Sequence, residues 1–210
     1  MTMLPLPLAS SATHPVGKKQ RTRDKITEAA LRAFRDQGYE LATAEQIARM
    51  AGISRSNFYL HFKSKAELVV SMLENLEPEV IGMYSSLDKL LNSPAADVRG
   101  WVFETAKLWD RDAQRFETLE RALAVEPLVS ERWALTLQHA ADAMSEYLSR
   151  FEEGAARTRA RSRLLTLMFQ YERSMYFTVV RETGLDRKEM IAALADQWTE
   201  LLGRGALDGR

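Results

Sequence analysis

The stretch ISRSNFYLHFKSK, residues 53–65, decides the fold that this sequence predicts. Its Ser54 is a favourable N-cap for a short helix, and Thr43 is a similar cap for another short helix upstream. Gly52 lies between the two helices and can adopt the positive φ that a sharp turn needs. Two short helices joined by a three-residue turn predict a helix-turn-helix, although the turn alone would also suit an ordinary corner between helices.

The second of these helices has one apolar face and one polar face. Phe58 and Phe62 are four residues apart, so they share a face and are predicted to be buried. The polar surface at the N-terminal end of the helix consists of Arg55, Ser56, Asn57 and Tyr59. In the major groove of DNA, arginine suits guanine and asparagine suits adenine, and the N-terminal residues of such a helix reach base edges. Three residues suited to phosphates follow: His61, Lys63 and Lys65.

The apolar and polar anchors of this segment extend to both sides of the quoted stretch. They are Ile26, Ala29, Ala30, Phe34, Gly38, Thr43, Ile47, Ala48, Ala51, Gly52, Ile53, Ser54, Phe58, Tyr59, His61, Phe62, Lys65 and Leu68. In residue types and spacing, residues 23–68 resemble the N-terminal domain of TetR/AcrR-family transcriptional regulators. The resemblance implies three groups of DNA contacts: phosphate contact by Thr43, base reading by Arg55, Ser56 and Asn57, and backbone contact by Tyr59, His61 and Lys65.

Two positions depart from the family pattern. Ser56 and Asn57 stand where many members have glycine followed by a small residue, which leaves the operator sequence open. Glu45 stands where some members place a cation that faces the groove. An acidic residue there either excludes some bases or points into solvent.

Charge is distributed unevenly along the chain. Residues 1–65 carry 11 Lys and Arg against 5 Asp and Glu, whereas the remaining residues carry 18 against 24. Lys18, Lys19, Arg21 and Arg23 form a basic segment just ahead of the first predicted helix. This segment is either a solubilising tail or an arm that follows phosphates or enters a minor groove.

Residues 1–20 are predicted to form a disordered tail with a basic end. The start of the chain contains prolines and lacks an early positive charge, so it does not resemble a signal peptide. No run of about 18 apolar residues is present, which predicts no membrane span. These features favour a cytoplasmic protein.

The remainder of the chain has the apolar periodicity of helices. Helical segments are predicted over residues 23–37, 43–50, 54–60, 65–77, 79–91, 94–110, 112–124, 128–152, 156–183 and 187–203. The predicted fold class is therefore all-α, with about nine helices. Residues 21–66 are predicted to form the helix-turn-helix DNA-binding domain, and residues 67–210 a helical domain for effector binding and dimerisation.

By the same resemblance, the C-terminal domain binds a small molecule and forms a homodimer through its last two helices. Its aromatic and methionine residues support a large, mostly apolar cavity, although such residues are also typical of plain core. The candidate pocket residues are Trp101, Trp109, Phe116, Trp133, Met144, Tyr147, Phe169, Glu172 and Tyr176.

Glu172 is the unusual member of this set. It lies on an apolar stripe, where a carboxylate is costly unless it is paired. It is predicted either to form an ion pair with an arginine, such as Arg121 or Arg173, or to anchor an effector through a polar or cationic contact.

The residue content argues against catalysis. The chain has no cysteine, and His14, His61 and His139 lack an accompanying carboxylate pair, metal-ligand spacing or glycine-rich phosphate loop. We therefore predict no enzyme activity, no metal and no cofactor. The predicted function is that of a ligand-responsive transcription regulator, a repressor that binds a palindromic operator in double-stranded DNA as a dimer. A small, mostly apolar or aromatic effector would release it. The alternative is a helical ligand-binding or interaction protein that has lost operator binding.

Overall fold

The computed structural model describes residues 17–91, 93–181 and 183–204, and all regular secondary structure in these ranges is helical. The helices are α1 (Lys18–Gln37), α2 (Ala44–Met50), α3 (Arg55–His61), α4 (Lys65–Asp88), α5 (Ala95–Arg111), α6 (Ala113–Val125), α7 (Pro127–Asp142), α8 (Ser145–Leu148), α9 (Ala155–Met175) and α10 (Arg187–Arg204). A π-helical turn, Tyr176–Val180, directly follows α9. The predicted all-α class is confirmed, and none of the described helices combines the length and apolarity needed to span a bilayer.

The first helix begins earlier than predicted. It starts at Lys18 rather than at residue 23, so three residues of the expected basic tail lie in its first turns: Lys18, Lys19 and Arg21. Residues 1–16 of the predicted tail lie outside the described residues.

Arg23 also belongs to α1, and its guanidinium makes contacts within the protein. It donates hydrogen bonds of 2.8 Å to the carbonyl oxygen of His61 and to Ser71 Oγ. It also lies over the ring of Phe62, 4.1 Å from the centroid. Arg23 therefore connects α1 to the end of α3 and to α4, which corrects its placement in a basic segment ahead of the first helix.

α2 and α3 form the predicted helix-turn-helix. Gly52 has a φ of 69°, the left-handed value that the turn requires. Phe58 and Phe62 are buried as predicted, with ring centroids 6.0 Å apart. Their burial determines which face of α3 turns outward, because the other residues of the helix must then point toward solvent.

α4 continues through a proline at which the sequence predicts a break. Pro78 lacks an N–H and its ring crowds the preceding turn, so residues 65–77 and 79–91 are predicted as separate segments. The structure instead has one helix from Lys65 to Asp88. α4 packs against α7 more extensively than any other two described helices pack together. We attribute the continuity of the helix across the proline to this packing.

The continuity of α4 also affects the domain division. The predicted boundary between residues 66 and 67 falls in the first turn of this helix. One helix therefore begins beside the helix-turn-helix and extends into the C-terminal part of the chain.

The predicted helix over residues 128–152 is divided into α7 and α8. Asp88, which is 3% exposed, accepts the backbone N–H groups of Glu146 and Tyr147, both at 2.8 Å. These are donors that the first turn of α8 leaves without an intrahelical partner. Because the cap comes from the far end of α4, the local sequence contains no sign of it.

The long helix predicted over residues 156–183 changes its geometry near its end. Thr178 Oγ1 donates to the carbonyl oxygen of Ser174 at 2.7 Å, and this contact competes with regular backbone bonding where the π-helical turn forms. Tyr84, Trp101 and Trp198 form an aromatic cluster that joins α4, α5 and α10.

Candidate nucleic-acid interface and ligand cavity

The N-terminal end of α3 presents the polar surface that the sequence predicts for base contact. Arg55, Ser56 and Tyr59 are exposed, and Asn57 is half-buried. Ser54 Oγ accepts the backbone N–H of Asn57 at 3.1 Å and lies 3.0 Å from Ser56 Oγ. The N-cap thus fixes the start of the helix while the side chains at positions 55, 56 and 59 remain accessible.

Arg55 is held by a carboxylate of the neighbouring helix. Its Nε lies 2.7 Å from Oε1 of Glu45, and its guanidinium carbon lies 5.6 Å from the ring centroid of Tyr59. Glu45 therefore does not simply point into solvent. Because the pair uses Nε, it orients the guanidinium and leaves the two terminal nitrogens as the groups that could form a fork with a base.

Thr43 lies at the N-cap of α2 and is exposed. Its hydroxyl accepts the backbone N–H of Gln46 at 3.2 Å, and its own N–H donates to Gln46 Oε1 at 2.8 Å. This reciprocal capping box places the hydroxyl on the same exposed side as the helix N-terminus, where anions are favoured.

His61 is half-buried at the end of α3, and its Nδ1 is buried without a hydrogen-bond partner among the described residues. Burial lowers the pKa of its imidazole, and the nearby charges of Arg23 and Lys19 lower it further. A lowered pKa keeps the ring neutral at pH 7. Any contact with phosphate would then be a hydrogen bond rather than an ion pair.

Lys65 makes contacts within the protein that its sequence position does not reveal. Its ammonium donates to the carbonyl oxygens of Tyr39, Glu40 and Ala42, the last at 3.1 Å. It also lies 4.1 Å from the ring centroid of Tyr39, and burial lowers its pKa. Lys65 thus connects the start of α4 to the segment before α2.

Tyr39 extends this connection into the C-terminal part of the chain. Its hydroxyl donates to Glu126 Oε1 at 2.8 Å, and burial together with this carboxylate raises the pKa of the phenol. Gln114 adds a second link through a hydrogen bond of 3.1 Å to the carbonyl of Leu31. Through α1 and Tyr39, the N-terminal part of the chain is therefore joined by polar contacts to α6 and to Glu126, which lies between α6 and α7.

Lys65→Met should lower the free energy of unfolding by roughly 2–3 kcal/mol, because it removes charged hydrogen bonds and leaves carbonyl groups without a donor. Urea unfolding followed by tryptophan fluorescence would measure the change. Lys63→Met is the matched control, since Lys63 is an exposed lysine two residues earlier. Equal stability of the two variants would show that the carbonyl contacts of Lys65 do not hold the domain together.

A cavity of about 300 Å³ lies between α1, α4, α5, α6, α7 and α9. Four of the nine predicted pocket residues line it: Trp109, Phe116, Trp133 and Glu172. The rings of Trp109 and Phe116 are stacked, with centroids 3.8 Å apart and an interplanar angle of 16°. The cavity is therefore lined by a stacked aromatic pair and by one buried carboxyl group.

The other five predicted pocket residues lie elsewhere. Trp101 belongs to the aromatic cluster with Tyr84 and Trp198. The remaining four do not line this cavity: Met144 is buried, Tyr147 packs against Phe151 beside a second depression, Phe169 is 48% exposed, and Tyr176 is half-buried. These residues are aromatic or apolar, but their helix faces point away from the cavity.

Several cavity residues were not predicted. α4 contributes Leu73, Leu76 and Val80, and α9 contributes Tyr171 beside Glu172. The periodic apolar residues of α4 mark one face of a helix, but this pattern looks the same for a core face as for a cavity wall.

The ion pair predicted for Glu172 does not form with the arginines proposed for it. Arg121 pairs with Glu117 and Glu40, and Arg173 pairs with Glu120. Glu172 Oε1 instead accepts the indole N–H of Trp133 at 2.7 Å. Burial raises the pKa of the Glu172 carboxyl to about 7, and the charge of Glu120 raises it further, whereas the Trp133 hydrogen bond and the charge of Arg173 oppose this with smaller effects.

An exposed helix with polar side chains suited to base contact, supported by a capped partner helix, is the arrangement found in DNA-binding proteins of the helix-turn-helix class. Residues 26–72 match the family model described as "Bacterial regulatory proteins, tetR family". The HTH-type transcriptional regulator TtgR of Pseudomonas putida is 47% identical over 57 residues, which cover 27% of this chain and 27% of TtgR. The sequence match thus spans about a quarter of the length of this relative.

Solved structures resemble a much larger part of the chain. SmeT, the repressor of the Stenotrophomonas maltophilia multidrug efflux pump SmeDEF, superposes with a TM-score of 0.60 at 21% identity, covering 87% of this chain and 90% of SmeT. FadR from Bacillus subtilis, solved in complex with stearoyl-CoA, gives a TM-score of 0.60 at 18% identity over 87% of this chain and 98% of FadR. At these identities the similarity concerns the fold.

Together these findings confirm the resemblance to the TetR family: residues 26–72 match its family model, and the described fold is similar to that of solved structures such as SmeT and FadR.

Proposed function

We propose that this protein is a sequence-specific transcription regulator that reads DNA with α3 and responds to a small molecule bound in the cavity. The observation that carries the proposal is the outward face of α3, where Arg55, Ser56 and Tyr59 are exposed while Phe58 is buried beneath them. A helix presented in this way fits the major groove, and its N-terminal residues reach base edges.

The proposed DNA contacts fall into two groups. Base reading is assigned to Arg55, Ser56 and Asn57. Contact with the DNA backbone is assigned to Thr43, Tyr59, His61 and Lys65. For Lys65, the hydrogen bonds to three carbonyl groups support an additional role in holding the reading helix in position.

We place the dimer interface on the last two helices, with α9 contributing the face that carries Leu165 and Phe169. Phe169 is 48% exposed on α9, and Leu165, one turn earlier, is half-buried. An exposed apolar face of this kind favours contact with a second protomer. A two-fold dimer would present two copies of α3 to successive major grooves about 34 Å apart and would read a palindrome.

The proposed response to ligand operates through α4. This helix begins at Lys65, shortly after α3, and lines the cavity with Leu73, Leu76 and Val80. A ligand that binds one position of α4 more tightly than another would shift the spacing of the two reading helices. Operator affinity would then fall, as expected for a repressor released by its effector. The small-molecule complex of the structurally similar FadR supports this assignment.

Selection of bound duplexes from a random pool tests DNA reading directly. The wild-type protein should enrich a palindrome, and Arg55→Ala should weaken operator binding by about 1–3 kcal/mol and blur the preference at one base pair in each half-site. Glu45→Gln keeps Arg55 but removes the charge that orients it, so the same base pair should be blurred to a smaller extent.

Arg99→Ala provides a control for nonspecific loss of positive charge, since Arg99 is an exposed arginine of α5 paired with Asp196. It should leave the enriched sequence unchanged. Failure of the wild-type protein to enrich any duplex would instead favour the alternative of a helical ligand-binding or interaction protein.

A further inference from the structure

The charged groups in the cavity wall differ in whether they have a partner of opposite charge. Asp112 lies 2.7 Å from Arg111 and 3.8 Å from Arg115, and Glu79 lies 3.6 Å from Arg111. Glu172 is buried, and its hydrogen bond comes from a neutral indole. It is therefore the wall carboxyl whose negative charge is not balanced by one of these arginines.

The cation that is nearest to Glu172 in sequence offsets its negative charge only weakly, as the smallest of the effects on the Glu172 pKa. Arg173 follows it in sequence, but its guanidinium is bound to Glu120 at 2.8 Å and lies near the rings of Tyr176 and Phe177. Glu120 itself adds negative charge close to Glu172. A carboxylate at this position is thus destabilised by burial and by a like charge, and a ligand cation would relieve both effects.

The rest of the wall suits the apolar body of such a ligand. Trp109 and Phe116 form a stacked pair, and Trp133 approaches the carboxyl group with its indole N–H. Aromatic faces attract cations, and flat apolar surfaces accommodate aromatic or alicyclic rings. The cavity therefore brings an aromatic pair and a weakly balanced carboxyl group together within one site.

We propose that the effector is a lipophilic amine or other organic cation whose nitrogen contacts Glu172 while its apolar part lies against Trp109 and Phe116. This inference rests on the proposed function, because it names the ligand class of the same regulatory cavity. In this proposal, Glu172 selects ligands that carry a positive charge, and Trp109 and Phe116 bind the apolar part of the ligand. A neutral ligand would leave the carboxyl group without a counter-charge.

Calorimetric titration with three compounds of matched shape tests the proposal: 2-naphthylmethylamine, 2-naphthylmethanol and 2-naphthoate, which are cationic, neutral and anionic at pH 8. The wild-type protein should bind the amine at least about tenfold more tightly than the alcohol. It should bind the carboxylate most weakly. Glu172→Gln retains the acceptor for Trp133 and should abolish the preference for the amine while changing affinity for the alcohol by less than about threefold.

Glu79→Gln is the matched control, because Glu79 lines the same cavity but has Arg111 beside it. It should keep the preference for the amine. Equal affinity of wild type for amine and alcohol, no binding of the amine, or an unchanged preference in Glu172→Gln would each overturn the inference. The duplex selection is independent of these titrations, so loss of operator binding in wild type would contradict the proposed function without affecting the measured charge preference.

Discussion

Arg132→Met should destabilise the protein by roughly 2–4 kcal/mol at pH 7, because it leaves a mostly buried carboxylate without its main counter-charge. Arg132 and Glu77 are 14% and 17% exposed, and the two guanidinium terminal nitrogens contact the two carboxylate oxygens. His139 Nδ1 lies 2.6 Å from Glu77 Oε1. The pair connects α4 to α7 one residue before Pro78, where α4 lacks a backbone donor.

The loss of stability in Arg132→Met should decrease as the pH falls. The hydrogen bond from Arg132, followed by that from His139, holds the pKa of Glu77 below its ordinary value of 4.5. A lowered pKa stabilises the folded state above pH 4.5 and loses this effect as the pH falls through the folded-state pKa. Urea unfolding of wild type and Arg132→Met should therefore give curves that converge below pH 4.5.

A double variant distinguishes the net contribution of the ion pair to stability from the penalty of leaving one buried charge unpaired. Glu77→Leu combined with Arg132→Met replaces both charges by apolar side chains, so it should recover most of the stability lost in Arg132→Met. If the single variant unfolds within about 0.5 kcal/mol of wild type, the effect of a typical surface change, the α4–α7 pair does not maintain the helix at Pro78.

Glu172→Gln should have the opposite effect and stabilise the protein by on the order of 3 kcal/mol at pH 8. Burial raises the pKa of Glu172 from 4.5 to about 7, so the folded state binds more protons than the unfolded state between these values. The stability of wild type should therefore fall as the pH rises from 4.5 to 7. The amide of the variant would remove this dependence and keep an oxygen for the Trp133 N–H.

Unfolding free energies measured from pH 4 to pH 8 provide the comparison. The two curves should coincide near pH 4 and separate as the pH rises. Glu79→Gln, which changes an exposed carboxylate at the same cavity, should remain close to wild type throughout. Parallel curves for wild type and Glu172→Gln would mean that the carboxyl group is solvated in the folded protein.

The helix-turn-helix could be predicted from the sequence because its determinants are local. Thr43 and Ser54 cap the two helices through backbone groups three residues away, and Gly52 makes the turn through its own φ. The burial of Phe58 and Phe62 follows from their spacing. These features depend on neighbouring residues, so each can be recognised without knowing how distant helices pack.

The remaining features depend on contacts between distant segments. α4 packs against α7 along its path through Pro78, and Asp88 of α4 caps the start of α8. The pairing of Glu45 with Arg55 and the inward position of Lys65 also require the assembled domain. A sequence position can suggest DNA contact, but it does not reveal which atoms of a side chain are already engaged by the protein.

The sequence predicts an aromatic, mostly apolar cavity, but only some of the residues that it predicts for the wall line the cavity. Large aromatic residues favour ligand sites, which predicts Trp109, Phe116 and Trp133 as pocket residues, and all three line the cavity. Phe169 is predicted for the same reason and lies on the surface. The difference is the rotation of each helix about its axis, which is set by packing and is not contained in residue type.

Because α4 is uninterrupted, its length and its rotation per residue fix how the helix-turn-helix is oriented relative to the cavity. Its 24 residues span ~36 Å at ~1.5 Å per residue. Inserting or deleting one residue in its middle would rotate the helix-turn-helix by ~100° relative to the helices around the cavity, because each residue advances the helix by that angle. In a dimer, the two copies of α3 would then no longer face the same side of the DNA. The number of residues in α4 is therefore expected to be a stricter requirement for operator spacing than their chemical identity.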